Sequence, residues 1–241
     1  MPVKGIAKRI INLSGFNLTR IAANSNSSYQ RMIALNHFDV DLIFDVGANA
    51  GQYALEMRSI GYKGKIVSFE PLTDAHSRLL GNASKDRLWD VHERTAIGDK
   101  EGKVEINSSQ NSVSSSILHM LESHKEAAST SGYIGKETVD LNTLDSIGRK
   151  YIKPNSRYYI KIDTQGFESQ VLDGAKDILR DAVGVQLELS LAPLYEGQTL
   201  WRDLIDRLER EGFTLWALQQ GFTNKENGRT LQTDGIFFRE A

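Results

Sequence analysis

The sequence predicts a doubly wound α/β fold in which a mostly parallel sheet is closed by an antiparallel C-terminal hairpin. Short apolar runs, rich in β-branched and aromatic residues, alternate with helical patterns over most of the chain. Several of these runs end on or near an acidic residue, and the last two strand-like runs have no helix between them. Such alternation requires crossover connections, and hence a parallel sheet covered on both faces.

Each predicted element rests on its own pattern. The parallel strands are expected at four apolar runs, 41–46, 65–70, 158–163 and 184–189, with a further strand at 90–97. Apolar residues recur on one face of the segments 29–37, 169–180 and 200–211, which predicts helices there. The runs 213–218 and 231–239 flank a polar, glycine-containing stretch, which predicts the hairpin.

The domain organisation follows from the places where the alternation of strand-like and helical segments is interrupted. The polar stretch 24–28 separates an expected N-terminal helical appendage, residues 1–27, from the main domain, residues 28–241. Between about 103 and 146 the alternation is interrupted by two strand-like runs, a serine-rich loop and a helix near 117–128. Ligands bind at the carboxyl ends of strands in such sheets, so this insertion is expected to act as a substrate lid.

Composition narrows the class of partner. The 29 basic and 31 acidic residues give a formal net charge of −2, so nucleic acid is not an expected partner. The chain has no cysteine, which favours a cytoplasmic location. Its first 20 residues contain no apolar stretch long enough for a signal peptide or a transmembrane segment. The oligomeric state stays open, with a homodimer as one option.

The turn after the first strand predicts a cofactor site. The sequence Gly47-Ala48-Asn49-Ala50-Gly51 places two glycines where the backbone must turn tightly and approach a ligand. Asn49 stands where a dinucleotide-binding loop has its second glycine, which leaves less room for a pyrophosphate. The pattern therefore favours S-adenosylmethionine, with predicted contacts at Asp45, Gly47, Ala48, Asn49 and Gly51.

Acidic residues at successive strand ends support this prediction. Glu70 lies where nucleoside-binding α/β proteins have an acid that accepts hydrogen bonds from both ribose hydroxyls. Gly98 and Asp99 follow the next strand, and Asp99 is expected to accept the exocyclic amine of adenine. Asp163 ends the fourth strand and is expected to face both cofactor and substrate. A single acid there is usually a cap or a surface charge, but three at one sheet edge indicate a ligand site.

Five segments together resemble the FkbM family of methyltransferases: 45–53, 68–71, 96–99, 160–168 and 171–175. The resemblance covers roughly residues 43–238. It implies a Rossmann-like class I methyltransferase fold, S-adenosylmethionine as cofactor, and O-methylation of a hydroxyl on a sugar, glycan or polyketide-type natural product. It also adds Tyr53 and Pro71 to the predicted cofactor contacts. Gln165 departs from the family pattern, because an acid is commoner at that position.

Carboxylates are the predicted catalytic residues. Asp163 is the first choice for the base that takes the hydroxyl proton, with Glu188 and Glu168 as reserves. Glu168 has an alternative interpretation as an ordinary acid in the first turn of a helix. No metal site is predicted, although an Asp163–Glu188 pair leaves a divalent cation open. The serine-rich loop resembles a family segment that faces the active site, and its predicted substrate contacts are Asn111, Ser114, Ser115 and His119.

Two other functions are compatible with the same sheet. An NAD-dependent sugar dehydrogenase or epimerase would also use Glu70, but Asn49, the absence of a Tyr-x-x-x-Lys pair after the fourth strand and the terminal hairpin argue against it. A non-catalytic cofactor-binding protein of this fold is the second alternative. The acids retained at the strand ends argue against that alternative.

Overall fold

The computed structural model describes residues 13–16, 20–128 and 130–240. Most of the expected appendage, residues 1–27, lies outside these residues. The first helix described in full, α1 (Ser27–His37), begins at Ser27 rather than at the predicted Tyr29. The reason is an N-cap: the Asn26 side chain accepts a hydrogen bond of 2.7 Å from the backbone N–H of Tyr29.

The strands occur in the predicted order along the described residues. They are β1 (Leu42–Val46), β2 (Lys65–Phe69), β3 (Trp89–Val91), β4 (Ala96–Ile97), β5 (Gly102–Ser109), β6 (Tyr133–Asn142), β7 (Tyr158–Ile162), β8 (Gly184–Ser190), β9 (Thr214–Gln220) and β10 (Gln232–Phe238). Seven of them form one sheet in the order β3-β2-β1-β7-β8-β10-β9. Its first five strands are parallel, and β10 is antiparallel to both β8 and β9. The mostly parallel sheet and the terminal hairpin are therefore confirmed.

Helices cover both faces of this sheet. After α1 they are α2 (Gln52–Ser59), α3 (Thr73–Ala83), α4 (Glu122–Ala127), α5 (Leu144–Ile147), α6 (Glu168–Asp173), α7 (Lys176–Asp181) and α8 (Trp201–Arg210). Phe44 of β1 packs in a core with residues of α6, α7 and α8, whereas Ile43 packs with residues of α1, α2 and α3. Since β1 is buried on both sides, the sheet is doubly wound as predicted. None of the described helices is long and apolar enough to cross a lipid bilayer.

Two predicted elements are each divided in the structure. The prediction of a single strand at 90–97 is wrong. The structure has two strands there: β3 pairs with β2 in the main sheet, whereas β4 pairs with β6 in a second sheet. The helix expected at 169–180 is likewise two helices, α6 and α7. The break is at Gly174, where a Cβ would lie 1.8 Å from the carbonyl oxygen of Gly98. Only glycine permits this approach of the two loops.

The insertion forms a small sheet of its own. The strands β4, β6 and β5 lie side by side in that order, with β5 and β6 antiparallel. The helix expected near 117–128 is shorter, since only Glu122–Ala127 is helical. Leu121, just before this helix, is extended, and Met120 forms a backbone bridge to Tyr195, which follows β8. The loop between β5 and α4 is thereby connected to the main domain.

Candidate functional site

A cavity of about 320 Å³ lies at the carboxyl ends of β1, β2 and β7, and its volume lies within the range of small-molecule sites. The strand order reverses next to β1, which is where open α/β sheets bind ligands. The predicted site residues that line it are Gly47, Ala48, Asn49, Tyr53, Glu70, Pro71, Asp163 and Ser115. The other predicted residues lie outside its lining and have different surroundings.

The predicted cofactor turn forms one wall of the cavity. Gly47 has a φ of 75°, and a Cβ there would lie 1.9 Å from the carbonyl oxygen of Asp163, so the two strand ends can approach only because residue 47 is glycine. The backbone N–H groups of Gly47 and Ala48 both donate to the Phe69 carbonyl, each at 3.1 Å. Gly51 instead serves packing, since a Cβ at this position would lie 2.6 Å from the Trp89 ring.

Asp45 lies beneath the turn and does not line the cavity. It is fully buried, accepts a hydrogen bond of 3.1 Å from Ser68 Oγ and pairs with Lys161 Nζ at 3.1 Å. Lys161 Nζ also donates to the Gly47 carbonyl at 3.0 Å, so the lysine ties β7 to the turn. Burial lowers the pKa of Lys161, but the carboxylates of Asp45 and Asp163 outweigh it, and the pKa lies above its ordinary value.

Sequence reasoning missed Lys161, although a signal was available. A lysine inside a strand whose neighbours are all apolar or aromatic must find a partner, because buried lysine is rare unless it is paired.

Glu70 faces the cavity from the residue that follows β2. It is buried, and its carboxylate accepts hydrogen bonds from the backbone N–H groups of Asn49 at 2.8 Å and Leu72 at 2.9 Å. Burial raises the pKa of Glu70 to about 7, although the two amide hydrogen bonds offset part of this rise. A carboxylate has about four acceptor positions, so Glu70 can accept further donors from the cavity.

The residues predicted to contact adenine lie apart from the cavity. Asp99 is exposed, and Gly98 packs against the loop at Gly174. The cavity wall in this region is instead made of residues that were not singled out from the sequence, Thr95, Ala96, Ile97, Ile106 and Phe167. This wall is mostly apolar. The division of the predicted strand 90–97 accounts for the displacement, because β4 belongs to the second sheet.

Asp163 lines the cavity at the end of β7. Its side chain is 38% exposed, and Lys161 Nζ lies 3.7 Å from Oδ2. The Gln165 amide nitrogen donates to Asp163 Oδ1 and to Glu188 Oε2, both at 2.8 Å. Gln232 also donates to Glu188 Oε2, at 2.6 Å. Burial, and next the charge of Asp163, raise the pKa of Glu188 well above its ordinary value.

Glu168 does not line the cavity. One oxygen of its buried carboxylate accepts from the backbone N–H groups of Thr164 at 3.0 Å and Gly166 at 3.1 Å, and from the Thr164 hydroxyl at 3.2 Å. Burial raises its pKa to about 7. These bonds close the turn before α6, which agrees with the interpretation of Glu168 as a first-turn helix acid.

The serine-rich loop, residues 109–116, lies over the cavity mouth. Ser115 lines the cavity together with Ser112, Val113 and Ser116, which were not predicted as contacts. Asn111 and Ser114 lie outside the lining and bond each other within the loop, with Asn111 Nδ2 3.0 Å from Ser114 Oγ. His119 is exposed and lies beyond the loop.

The opposite end of the cavity is polar, and of its side chains only Tyr53 was predicted from the sequence. It is lined by side chains from distant parts of the chain: Arg31, Gln52, Tyr53, Glu56, Gln186 and Asp234. Arg31 Nη1 pairs with Glu56 Oε2 at 3.1 Å, and its guanidinium lies 5.1 Å from the centre of the Tyr53 ring. Burial raises the pKa of Tyr53, so its hydroxyl stays protonated. Burial, followed by the charge of Asp163, also raises the pKa of Asp234.

Two groups at this polar end have no hydrogen-bond partner among the described residues. They are Arg31 Nε and the Tyr53 hydroxyl, and both side chains are more than nine-tenths buried. Buried donors are normally paired, so these two groups keep unused hydrogen-bonding capacity in side chains that line the cavity. Within the part of the chain that the structure describes, no cluster of three or more His, Asp or Glu side chains is arranged to hold a metal ion.

Comparisons with known proteins agree with this geometry. The chain is 26% identical over 202 residues to the 2-O-methyltransferase NoeI of Sinorhizobium fredii (strain NBRC 101917 / NGR234), covering 78% of this chain and 79% of NoeI. Among solved structures, a Klebsiella pneumoniae protein described as an O-methyltransferase superposes with a TM-score of 0.50 at 13% identity, covering 100% of this chain and 91% of that one. At that identity the likeness concerns the fold.

The family comparison is more specific. The profile of the methyltransferase FkbM domain matches residues 45–215, from the buried aspartate of β1 to the start of β9. This match spans well over half of the chain and includes the turn at Gly47, Glu70 and Asp163. The chain therefore belongs to the FkbM methyltransferase family, and it has the Rossmann-like α/β fold of class I methyltransferases.

Proposed function

We propose that this methyltransferase transfers the methyl group of S-adenosylmethionine to a hydroxyl oxygen of a sugar, glycan or polyketide-type acceptor. Membership of a methyltransferase family favours this reaction over the NAD-dependent alternative. The likeness to NoeI, which is named as a 2-O-methyltransferase, supports oxygen as the acceptor atom. The observation that carries the proposal is one cavity with the buried Glu70 carboxylate at one end and unpartnered polar groups at the other.

The end of the cavity at Glu70 fits the nucleoside part of the cofactor. The Glu70 carboxylate lines the cavity and keeps acceptor positions for two ribose hydroxyls. The apolar wall that includes Ile97 and Phe167 offers a surface for the adenine ring. The predicted contacts of Gly98 and Asp99 with adenine remain predictions.

The polar end fits the amino-acid part of the cofactor. A methionine-type end carries a carboxylate and an ammonium group, and the cavity offers partners of both signs. Arg31 and the Tyr53 hydroxyl would donate to the carboxylate, and Arg31 has the fork geometry that suits such a group. Asp234, which lines this end, would accept from the ammonium group.

Proton removal is the chemical task left to the chain, because bound S-adenosylmethionine supplies a methyl group that is already activated. Asp163 is the carboxylate placed for this task, since it lines the cavity whereas Glu188 and Glu168 do not. A positioned base contributes about 10² to 10⁴ in rate. Holding the hydroxyl in a reactive position contributes roughly 7 to 11 kcal/mol. The serine-rich loop is the proposed lid that holds the acceptor at the cavity mouth.

The first test is calorimetry of the purified chain with S-adenosylmethionine and with S-adenosylhomocysteine. No binding at millimolar cofactor would refute the proposal. The second test compares cells with and without the gene, using mass spectrometry of candidate glycans and polyketides for the gain of one methyl group. Cofactor binding without methyl transfer to any acceptor would favour the non-catalytic alternative.

A further inference from the structure

One amide, that of Gln165, connects the carboxyl groups of Asp163 and Glu188. Gln165 Nε2 lies 2.8 Å from Asp163 Oδ1 and 2.8 Å from Glu188 Oε2, so each of its two hydrogens has a carboxylate acceptor. Its Oε1 accepts a hydrogen bond of 2.8 Å from the Tyr195 hydroxyl. The side-chain nitrogen and oxygen of Gln165 are therefore both satisfied, and by residues from three different segments.

The backbone directs the amide to this place. Gln165 has a φ of 54° and Gly166 a φ of 98°, so the chain turns back sharply after β7. A left-handed conformation is unfavourable for a residue with a Cβ, and such conformations persist where the surroundings hold them. The Gln165 carbonyl accepts a hydrogen bond of 2.7 Å from Ser116 Oγ. This bond also connects the β7 turn to the serine-rich loop.

Tyr195 fixes which end of the amide faces the acids. The NH₂ group of Gln165 donates to oxygens of Asp163 and Glu188, so the amide oxygen faces the Tyr195 hydroxyl, which donates to it. The Tyr195 hydroxyl is buried and has only one other described acceptor, the Ser114 carbonyl at 3.3 Å. Without this hydroxyl, the amide oxygen would lose its donor and the amide would be free to rotate.

On the basis of the proposed function, we propose that Gln165 is a positioning residue that acts through Asp163. Its amide, oriented by Tyr195, bridges Asp163 and Glu188 in the place where a divalent cation would otherwise bridge them. Two carboxylates at one site repel each other unless a donor or a cation lies between them. Hard cations require oxygen ligands, and the amide presents N–H groups to this place.

The test exchanges the donor for an acceptor. In Gln165→Glu a third carboxylate stands between Asp163 and Glu188, which generates the oxygen-rich cluster that the wild type lacks. Gln220→Glu is the matched control, since it adds the same charge at an exposed position outside the cavity lining. Thermal unfolding of the full chain is measured in chelator and then with Mg²⁺, Mn²⁺ or Ca²⁺.

We expect the wild type and Gln220→Glu each to unfold at the same temperature with and without cation. Gln165→Glu should unfold several degrees lower in chelator and regain stability with at least one of the three cations. A wild-type protein that is itself stabilised by these cations would overturn the proposal. So would a Gln165→Glu variant that is as stable as the control in chelator and indifferent to cations.

Tyr195→Phe tests the orientation of the amide without adding charge. We expect turnover of an identified acceptor to fall roughly tenfold, the cost of about one hydrogen bond, while the KM for cofactor is unchanged. Unchanged turnover would contradict the positioning role, and this variant remains informative if Gln165→Glu fails to fold. An error in the proposed function itself is detected separately. If the proposed function is wrong, the wild type should not bind S-adenosylhomocysteine.

Discussion

The turns that follow β2 and β7 each contain a buried glutamate, but the two glutamates differ in what they face. Glu70 and Glu168 are 4% and 2% exposed, both accept hydrogen bonds from backbone amides, and burial raises the pKa of each to about 7. Only Glu70 lines the cavity. A buried acid with a raised pKa therefore does not by itself indicate a ligand site. Its position relative to the cavity decides whether it can contact a ligand.

The second turn divides two tasks between two acids. Glu168 closes the turn by accepting from the amides of Thr164 and Gly166, while Asp163, at the start of the same turn, lines the cavity. The proposed function accordingly gives ligand binding to the turn at Glu70, proton transfer to Asp163 and turn stability to Glu168. Each assignment predicts a different response to substitution.

The largest effect is expected at Asp163. Asp163→Asn keeps the shape of the side chain but removes its capacity to take a proton, so turnover of an identified acceptor should fall by about 10² to 10⁴. Calorimetry should find binding of S-adenosylhomocysteine changed only a few-fold. Near-normal turnover in this variant would remove Asp163 from the role of base, and Glu188 would be examined next.

Substitution of Glu70 should impair binding. Glu70→Gln keeps one acceptor but loses the charge-assisted hydrogen bonds to the ribose, worth about 1.5 to 3 kcal/mol, so affinity for S-adenosylhomocysteine should fall about 10- to 100-fold. Because burial raises the pKa of Glu70 to about 7, the wild-type affinity should rise as the pH increases through that value. The variant should show a flat profile, and a wild-type affinity independent of pH would contradict the ribose assignment.

A substitution at Arg31 separates the two ends of the cavity. Arg31→Lys keeps the charge but loses the fork, so affinity for S-adenosylhomocysteine should fall about tenfold. Affinity for 5′-methylthioadenosine, which lacks the amino-acid end, should not change. If both ligands weaken equally in calorimetry, Arg31 supports the fold of the cavity instead of contacting the amino-acid end.

The comparison of the two turns also explains how far sequence reasoning reached. The period of apolar runs predicted the sheet and its hairpin, and the motif at Gly47 predicted the wall of the cavity. Glu70 and Asp163 were found because each directly follows a strand. Arg31 and Asp234 were missed, because they lie far apart in the chain and become neighbours only through packing of α1 on the sheet. Asp99 is exposed and does not line the cavity, because the strand before it pairs in the second sheet, a choice that local pattern does not encode.

The smallest effect on activity is expected at Glu168. Glu168→Gln keeps the oxygen that accepts from Thr164 and Gly166, so cofactor affinity and turnover should stay within about twofold of the wild type. The predicted change is in stability. Its sign follows from the raised pKa of the buried carboxylate.

Between the ordinary value of 4.5 and the folded value of about 7, the folded protein binds more protons at Glu168 than the unfolded chain does. This stabilising contribution is complete below pH 4.5 and is lost as the pH rises through about 7. Glutamine cannot ionise, so the Tm of Glu168→Gln should rise by about 5 °C relative to the wild type between about pH 5 and about pH 8. Calorimetric unfolding across that range checks this. If the Tm difference is constant with pH and the variant also loses activity, Glu168 has a role in the site like that of Glu70. The proposed difference between the two turns would then be wrong.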